Sequence, residues 1–233
     1  MRGFFITGTG TEVGKTYVGA LIAGEMARRG IRIGVYKPVA SDCLPGEGEW
    51  GLAPGELVAT DALALWQAAG EPLTLQQACP QRFKAAVAPN IAARMEGTQV
   101  DAELLRTGIE PWLDACDIVL VEGAGGLMSP VSDDDYNADL AADLGLPLIV
   151  VAANRLGVIN DTLQTVITAS VFGDGLDVAG VVLNQAAEVD NDESLNSNAA
   201  ELREHLRVPL LGEVGFGHQG GVAEVVDQLM SSK

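Results

Sequence analysis

Positive charge is scarce in this chain. Its 14 lysines and arginines stand against 32 aspartates and glutamates, a formal net charge of −18. So acidic a molecule repels nucleic-acid phosphates and anionic membranes alike, and neither is an expected partner. The few cations are therefore the positions at which an anionic ligand is expected. Cysteine is sparse too. Cys43, Cys79 and Cys116 are odd in number and lack C-x-x-C spacing, so neither a disulfide framework nor a zinc site is indicated, and they fit a cytoplasmic protein. No apolar run approaches the ~18 residues of a membrane span. Residues 1–7 enter a strand at once, without signal-peptide architecture. Histidine occurs twice, His205 on a predicted helix and His218 in a loop, neither spaced from an acid or a nucleophile in a way that suggests catalysis.

What is present is apolar and periodic. Hydrophobic residues make up 48% of the 233, enough for the core of one α/β domain spanning 1–233. Strand candidates lie at 3–7, 32–37, 118–121, 148–152, 178–183 and 210–214, most of them continuous apolar runs that need cover on both faces. Between them, helical patterns occupy 15–29, 89–96, 102–115, 138–144, 160–172, 192–206 and 222–230. The alternation predicts a doubly wound, mostly parallel sheet with helices on both faces, whose ligands sit beyond the carboxyl ends of the strands. Residues 43–54, rich in Gly, Pro and Glu, read as a mobile surface loop.

The first strand candidate runs into Gly8-Thr9-Gly10-Thr11-Glu12-Val13-Gly14-Lys15-Thr16 and then a helical pattern. A strand, a glycine-rich turn and a helix start make an anion site. Glycines let backbone N–H groups converge, and the helix N-terminus adds partial positive charge. Lys15 then reaches the β/γ-phosphates and the Thr16 hydroxyl takes a position on Mg²⁺. Five residues rather than four separate Gly8 from Gly14, so this is a variant P-loop.

Three further positions fall where such a ligand would lie. Lys37, in Lys37-Pro38-Val39-Ala40-Ser41, ends the second strand and offers a second cation. Asp61 either caps the apolar helical run Ala62 to Leu65 or faces the nucleotide. Glu122 follows the apolar run Ile118-Val119-Leu120-Val121 and precedes Gly123-Ala124-Gly125-Gly126, the place of a Walker-B-like carboxylate on Mg²⁺. A buried carboxylate without a cation or hydrogen-bond donors is costly, which favours the metal-site reading. The segment from Phe83 to Glu96, where Pro89 opens a short helix, reads as packing.

Taken jointly, these motifs resemble the dethiobiotin synthetases, P-loop enzymes of biotin synthesis, from Phe4 to about Glu213. The resemblance implies ATP-dependent ring closure of 7,8-diaminononanoate with CO₂ through a carbamate and a carbamic-phosphoric anhydride. It implies a triphosphate wrapped by Glu12, Val13, Gly14, Lys15, Thr16 and Tyr17, an ATP site that also takes in Asp61, Glu122, Gly123, Ala124 and Gly125, and adenine contacted by Asn184. It implies Mg²⁺ on Thr16, Asp61 and Glu122, Lys37 and Lys15 stabilising the anionic intermediate, and Thr11 and Ser41 on the substrate. A homodimer is implied as well, in which Val158, Ile159 and Asn160 of the second subunit bind the substrate's carboxylate tail. Gly10, Ala86 and Asn90 depart from the family pattern, as does Val214-Gly215-Phe216-Gly217, where a proline is usual. The alternative is a partitioning or division-site switch ATPase. That class usually carries a second lysine where this chain has Gly10, and often a cationic amphipathic tail, whereas residues 222–233 hold one cation.

Overall fold

The structure, a computed structural model, is described over residues 3–187, 192–217 and 220–231; His218 lies outside the described residues. The chain opens with β1 (Gly3–Gly8), α1 (Lys15–Arg28) and β2 (Ile33–Tyr36). Four short strands follow: β3 (Val39–Ala40), β4 (Leu44–Pro45), β5 (Leu57–Val58) and, after α2 (Thr60–Ala68) and α3 (Leu75–Ala78), β6 (Gln81–Arg82). Helices α4 (Pro89–Met95), α5 (Ala102–Thr107) and α6 (Glu110–Ala115) lead to β7 (Ile118–Gly126) and α7 (Asn137–Leu144). The second half continues with β8 (Leu148–Ala153), α8 (Val158–Val171), β9 (Val178–Asn184), a 3₁₀ turn over Glu193–Asn196, α9 (Asn198–His205), β10 (Leu210–Val214) and α10 (Val222–Ser231).

Six strands form one sheet in the order β10-β9-β8-β1-β7-β2, every neighbouring pair parallel. Phe5, Ile6, Val35, Val119 to Val121 and Leu148 to Ala152 are buried, which is why these strands read as unbroken apolar runs. All six expected strands are present. β1 sits between β7 and β8, so the connections leaving it and returning beside it diverge, and its carboxyl end opens into the crevice where such sheets bind ligands.

Departures from the expected elements have local causes. β7 runs on to Gly126, well past Val121, because Gly125, at a φ of 82° that suits glycine, carries the strand through a register shift after which Gly126 pairs with Gly8. The helix expected over 102–115 is two helices, α5 ending at Gly108 and α6 carrying Pro111 in its first turn, where the missing N–H costs nothing. A side chain at position 108 would run into the Tyr36 hydroxyl, which donates to the Leu104 carbonyl at 2.8 Å; the glycine admits the tyrosine. The expected helix 192–206 starts instead with the 3₁₀ turn, capped by Asp192 accepting from the Ser194 amide at 2.9 Å. The segment 43–54 has more structure than a free loop, since β4 pairs antiparallel with β5 around it and Cys43 and Leu52 are buried. No helix among the described residues is long and apolar enough to cross a membrane.

Candidate active site

The turn from β1 into α1 reaches its last residue at Gly14, the helix N-cap, with φ of 86°. That left-handed geometry suits glycine, and a Cβ there would also collide with the Asn184 side-chain amide. Asn184, at the end of β9, donates from Nδ2 to the Val13 carbonyl at 2.9 Å, so a strand two places away from β1 braces the loop from behind. Its Oδ1 is buried without a hydrogen-bond partner.

Lys15 and Thr16 are the first two residues of α1, where the unpaired N–H groups of the helix start are available to an anion. The Lys15 side chain curls toward the Gly10 carbonyl, 3.5 Å from Nζ. Burial lowers its pKa from the ordinary lysine value; Glu122 opposes that shift and Lys37 adds to it.

The closest contacts of the site form around Glu122. Its Oε1 accepts from Lys37 Nζ at 2.5 Å and from the Thr16 hydroxyl at 2.9 Å, and Lys37 Nζ also lies 3.0 Å from Asp61 Oδ2. Lys37 and Glu122 are nearly sealed from solvent, with side chains 4% and 1% exposed, while Asp61 stands half open at 52%. Burial works against the charge on Lys37, yet Glu122 and Asp61 outweigh it and hold the ammonium above its usual pKa. Burial likewise raises the Asp61 carboxyl, but Lys37, Lys15 and the Thr16 hydroxyl overcome it and keep that group ionised below the usual range. Capping does not describe Asp61. α2 starts at Thr60 with Ala59 as its N-cap, and the carboxylate of Asp61 is turned to Lys37.

The donor set of Thr16, Asp61 and Glu122 fits a hard divalent cation. It offers only oxygen ligands, and Glu122 Oε2 is buried with no hydrogen-bond partner, a costly arrangement unless a cation meets it. No cluster of three or more His, Cys, Asp or Glu suited to a metal occurs among the described residues. That is compatible with Mg²⁺, which keeps waters and phosphate oxygens in its shell and needs only one or two carboxylates.

A cavity of about 590 Å³ opens over these groups. Of the sequence-predicted residues, Thr11, Glu12, Gly14, Lys15, Thr16, Lys37, Ser41, Asp61, Ala124 and Gly125 line it, so both lysines face one space. Glu122 lies beneath them, reached through Lys37 and Thr16. Val13, Tyr17, Gly123 and Asn184 are not on the wall; Val13 and Asn184 are buried under the loop, and Gly123 packs on Asn137. Val158, Ile159 and Asn160 do not reach the cavity of this chain, and α8 begins at Val158 rather than at Asn160.

Several wall residues were not legible as such. Ala86, Val87, Ala88 and Pro89, read as packing, line the cavity at the start of α4, as do Asp42, Ser129 and Pro130. Pro89 at the first position of a helix was the available signal for that lip. Asn137, fully buried, clamps the extension of β7. Its Oδ1 accepts from the Ala124 amide at 3.1 Å and its Nδ2 donates to the Ala124 and Gly126 carbonyls, each at 2.7 Å. The Ala124 amide is thereby committed to Asn137.

The family model described as an AAA domain matches residues 2–219. Among curated proteins, the ATP-dependent dethiobiotin synthetase of Rhodopirellula baltica is 42% identical over 91% of this chain and 83% of its own length. The enzyme of the same name from Pseudomonas aeruginosa is 40% identical over 92% of this chain and 90% of its own. The chain belongs to the ATP-dependent dethiobiotin synthetases. Like them it is an enzyme of biotin biosynthesis, a ligase that forms carbon–nitrogen bonds with ATP. Among solved structures, the MinC:MinD cell division complex of Aquifex aeolicus matches at a TM-score of 0.58 with 13% identity, over 100% of this synthetase and 97% of that chain. The signal recognition particle receptor FtsY of Elizabethkingia anophelis with GDP matches at 0.57 with 12% identity, and this synthetase spans 64% of that chain. At such identities the likeness is one of fold alone, and the switch-ATPase alternative gains nothing from it.

Proposed function

We propose that this synthetase closes a ureido ring on 7,8-diaminononanoate. One amine takes up CO₂ as a carbamate, the carbamate oxygen attacks the γ-phosphorus of ATP, and the second amine displaces phosphate from the resulting anhydride. The products are dethiobiotin, ADP and phosphate. Lys15 and Lys37 facing one cavity together with Thr11 and Ser41 is the observation that carries the reading. The reaction brings a triphosphate, a carbamate and a carboxylate tail into one space, and what it needs from the protein is positioning and charge neutralisation rather than a nucleophile.

In this reading the residues from Glu12 to Tyr17 wrap the triphosphate with the loop and the start of α1. Lys15 reaches the β/γ-phosphates. Lys37 neutralises the carbamate and the phosphoryl group in transfer, and Thr11 and Ser41 hold the amine end of the substrate. Thr16, Asp61 and Glu122 would hold Mg²⁺, which when bound screens the phosphate charge. Gly123 to Gly125 border the nucleotide, and Asn184 Oδ1 is the acceptor for the adenine amino group. Val158, Ile159 and Asn160 of a second copy bind the carboxylate tail at the start of α8, which makes the working unit a homodimer. The protein acts in the cytoplasm on small molecules, with residues 1–233 as one domain.

The test incubates the protein with ATP, Mg²⁺, bicarbonate and the diamine and follows the product by mass spectrometry. The expected product is the diamine plus one carbonyl less two hydrogens, formed in step with ADP. Phosphate release without that product would overturn the reading in favour of a switch ATPase.

A further inference from the structure

Just beyond Ser41 the backbone turns through Asp42, whose φ of 60° lies in the left-handed region that penalises a Cβ. The turn is fastened on both sides. The Asp42 amide donates to the Ala85 carbonyl at 3.2 Å and the Cys43 amide to the Phe83 carbonyl at 2.9 Å. Aspartate tolerates this geometry better than most residues, so turn chemistry explains the backbone. It leaves the charge unexplained, because glycine or asparagine would hold the same turn without a full negative charge on the wall of a cavity that admits a triphosphate.

Three carboxylates line that cavity. Asp61 is paired with Lys37, and Glu12 belongs to the phosphate loop. Asp42 forms no ion pair among the described residues and follows Ser41, at the end assigned above to the amines. Asp42 is exposed, so water sustains its charge without a partner. Once substrates fill the cavity, a carboxylate there repels the nucleotide and the carbamate alike and gains only from a cation, and the one cation the reaction brings besides the metal is the substrate's own ammonium. Alkyl amines carry pKa values near ~10.4, so the amine that waits while its neighbour takes up CO₂ arrives protonated.

We infer that Asp42 binds the waiting ammonium group of the diamine and so sets the specificity of this site for a substrate with two amines. The inference rests on the ring-closing reading and adds to it a residue that touches the substrate. Its role is recognition and orientation; no proton transfer is assigned to it.

The test compares the wild type with Asp42→Asn and Asp42→Gly, two side chains compatible with a left-handed φ, so that neither variant has to rebuild the turn. In both, the KM for the diamine should rise about fivefold or more, the scale of one ion pair at a partly open site, while the KM for ATP stays within about twofold. Two monoamine analogues, each lacking one amine of the diamine, are then tested as inhibitors. The Asp42→Asn penalty should vanish for the analogue lacking the paired amine and persist for the other, as a coupling cycle requires. An unchanged diamine KM in both variants overturns the inference, and so does an equal penalty on both analogues, which would signify a general field. If the wild type makes no ring product, the ring-closing reading itself falls and the role of Asp42 falls with it.

Discussion

The residue-scale question is why a lysine should be buried against two carboxylates that could serve a metal. Lys37 satisfies Glu122 and Asp61 in the folded chain, and that ion pair keeps an otherwise prohibitive cluster of acids neutralised under the sheet edge. If Lys37 also neutralises charge during transfer, Lys37→Ala should lower kcat about a hundredfold or more, the loss of one preorganised charge contact, while ATP still binds. Single-turnover kinetics alongside nucleotide titration separate the two effects, and unchanged turnover removes Lys37 from the chemistry. Asp61→Asn should raise the Mg²⁺ concentration needed for half-maximal rate without altering helix content by circular dichroism. Equal Mg²⁺ dependence would leave Asp61 as a partner of Lys37 alone. Much of this was readable in one dimension, because Lys15 and Thr16 belong to a contiguous motif and Lys37 and Glu122 each close an apolar run. Asp42, Ser129 and Asn137 were not, since each gains its place from a turn or a clamp that no local spacing records.

At the scale of elements, the apolar runs carried the topology and the breaks inside helices were less visible. Gly108 and Pro111 were both in view within 102–115, but the periodic pattern spans them, and the packing of Tyr36 against the gap is what ends α5 there. α1 shows how tertiary partners fix an element's end. Glu25, its side chain 8% exposed, accepts from Arg28 at 2.8 Å and Arg29 at 2.7 Å, and Arg29 goes on to Asp227 of α10 at 2.6 Å. Hydrogen bonds from Arg28 and then Arg29 hold the Glu25 carboxyl near a pKa of about 2, below its ordinary 4.5. A depressed pKa means that the folded state favours the ionised form. The stability this group contributes is complete above pH 4.5 and is lost as the pH falls through about 2. The Tm of Glu25→Gln should therefore lie below that of the wild type at neutral pH, and the gap should close between pH 4.5 and 2. A gap that stays constant across that window would mean that the arginines confer nothing on the ionised state.

For the whole molecule, the open matter is the substrate's far end. The cavity gathers Thr11, Lys15, Lys37 and Ser41 from one chain, yet Val158, Ile159 and Asn160 lie outside it. The same helix displays Ile167 at 60% and Val171 at 71% exposure, with Leu156 at 79% just before it. Apolar side chains so open on one element are expected to be covered by another surface. Two chains of formal charge −18 repel one another, and a dimer forms only if the apolar contact outweighs that repulsion. Salt should then strengthen association, because screening acts within about 10 Å at 0.1 M ionic strength. The double variant Ile167→Asp and Val171→Asp adds charge where contact is needed and leaves the cavity wall untouched. The wild type should sediment as a dimer, more tightly with added salt, and the variant as a monomer. If the partner's α8 start binds the tail, the monomer's KM for the diamine should rise about tenfold or more, the worth of one charge-assisted hydrogen bond, while ATP affinity holds. A monomeric variant that keeps the wild-type KM would place the carboxylate tail within a single chain and deprive Val158, Ile159 and Asn160 of their role.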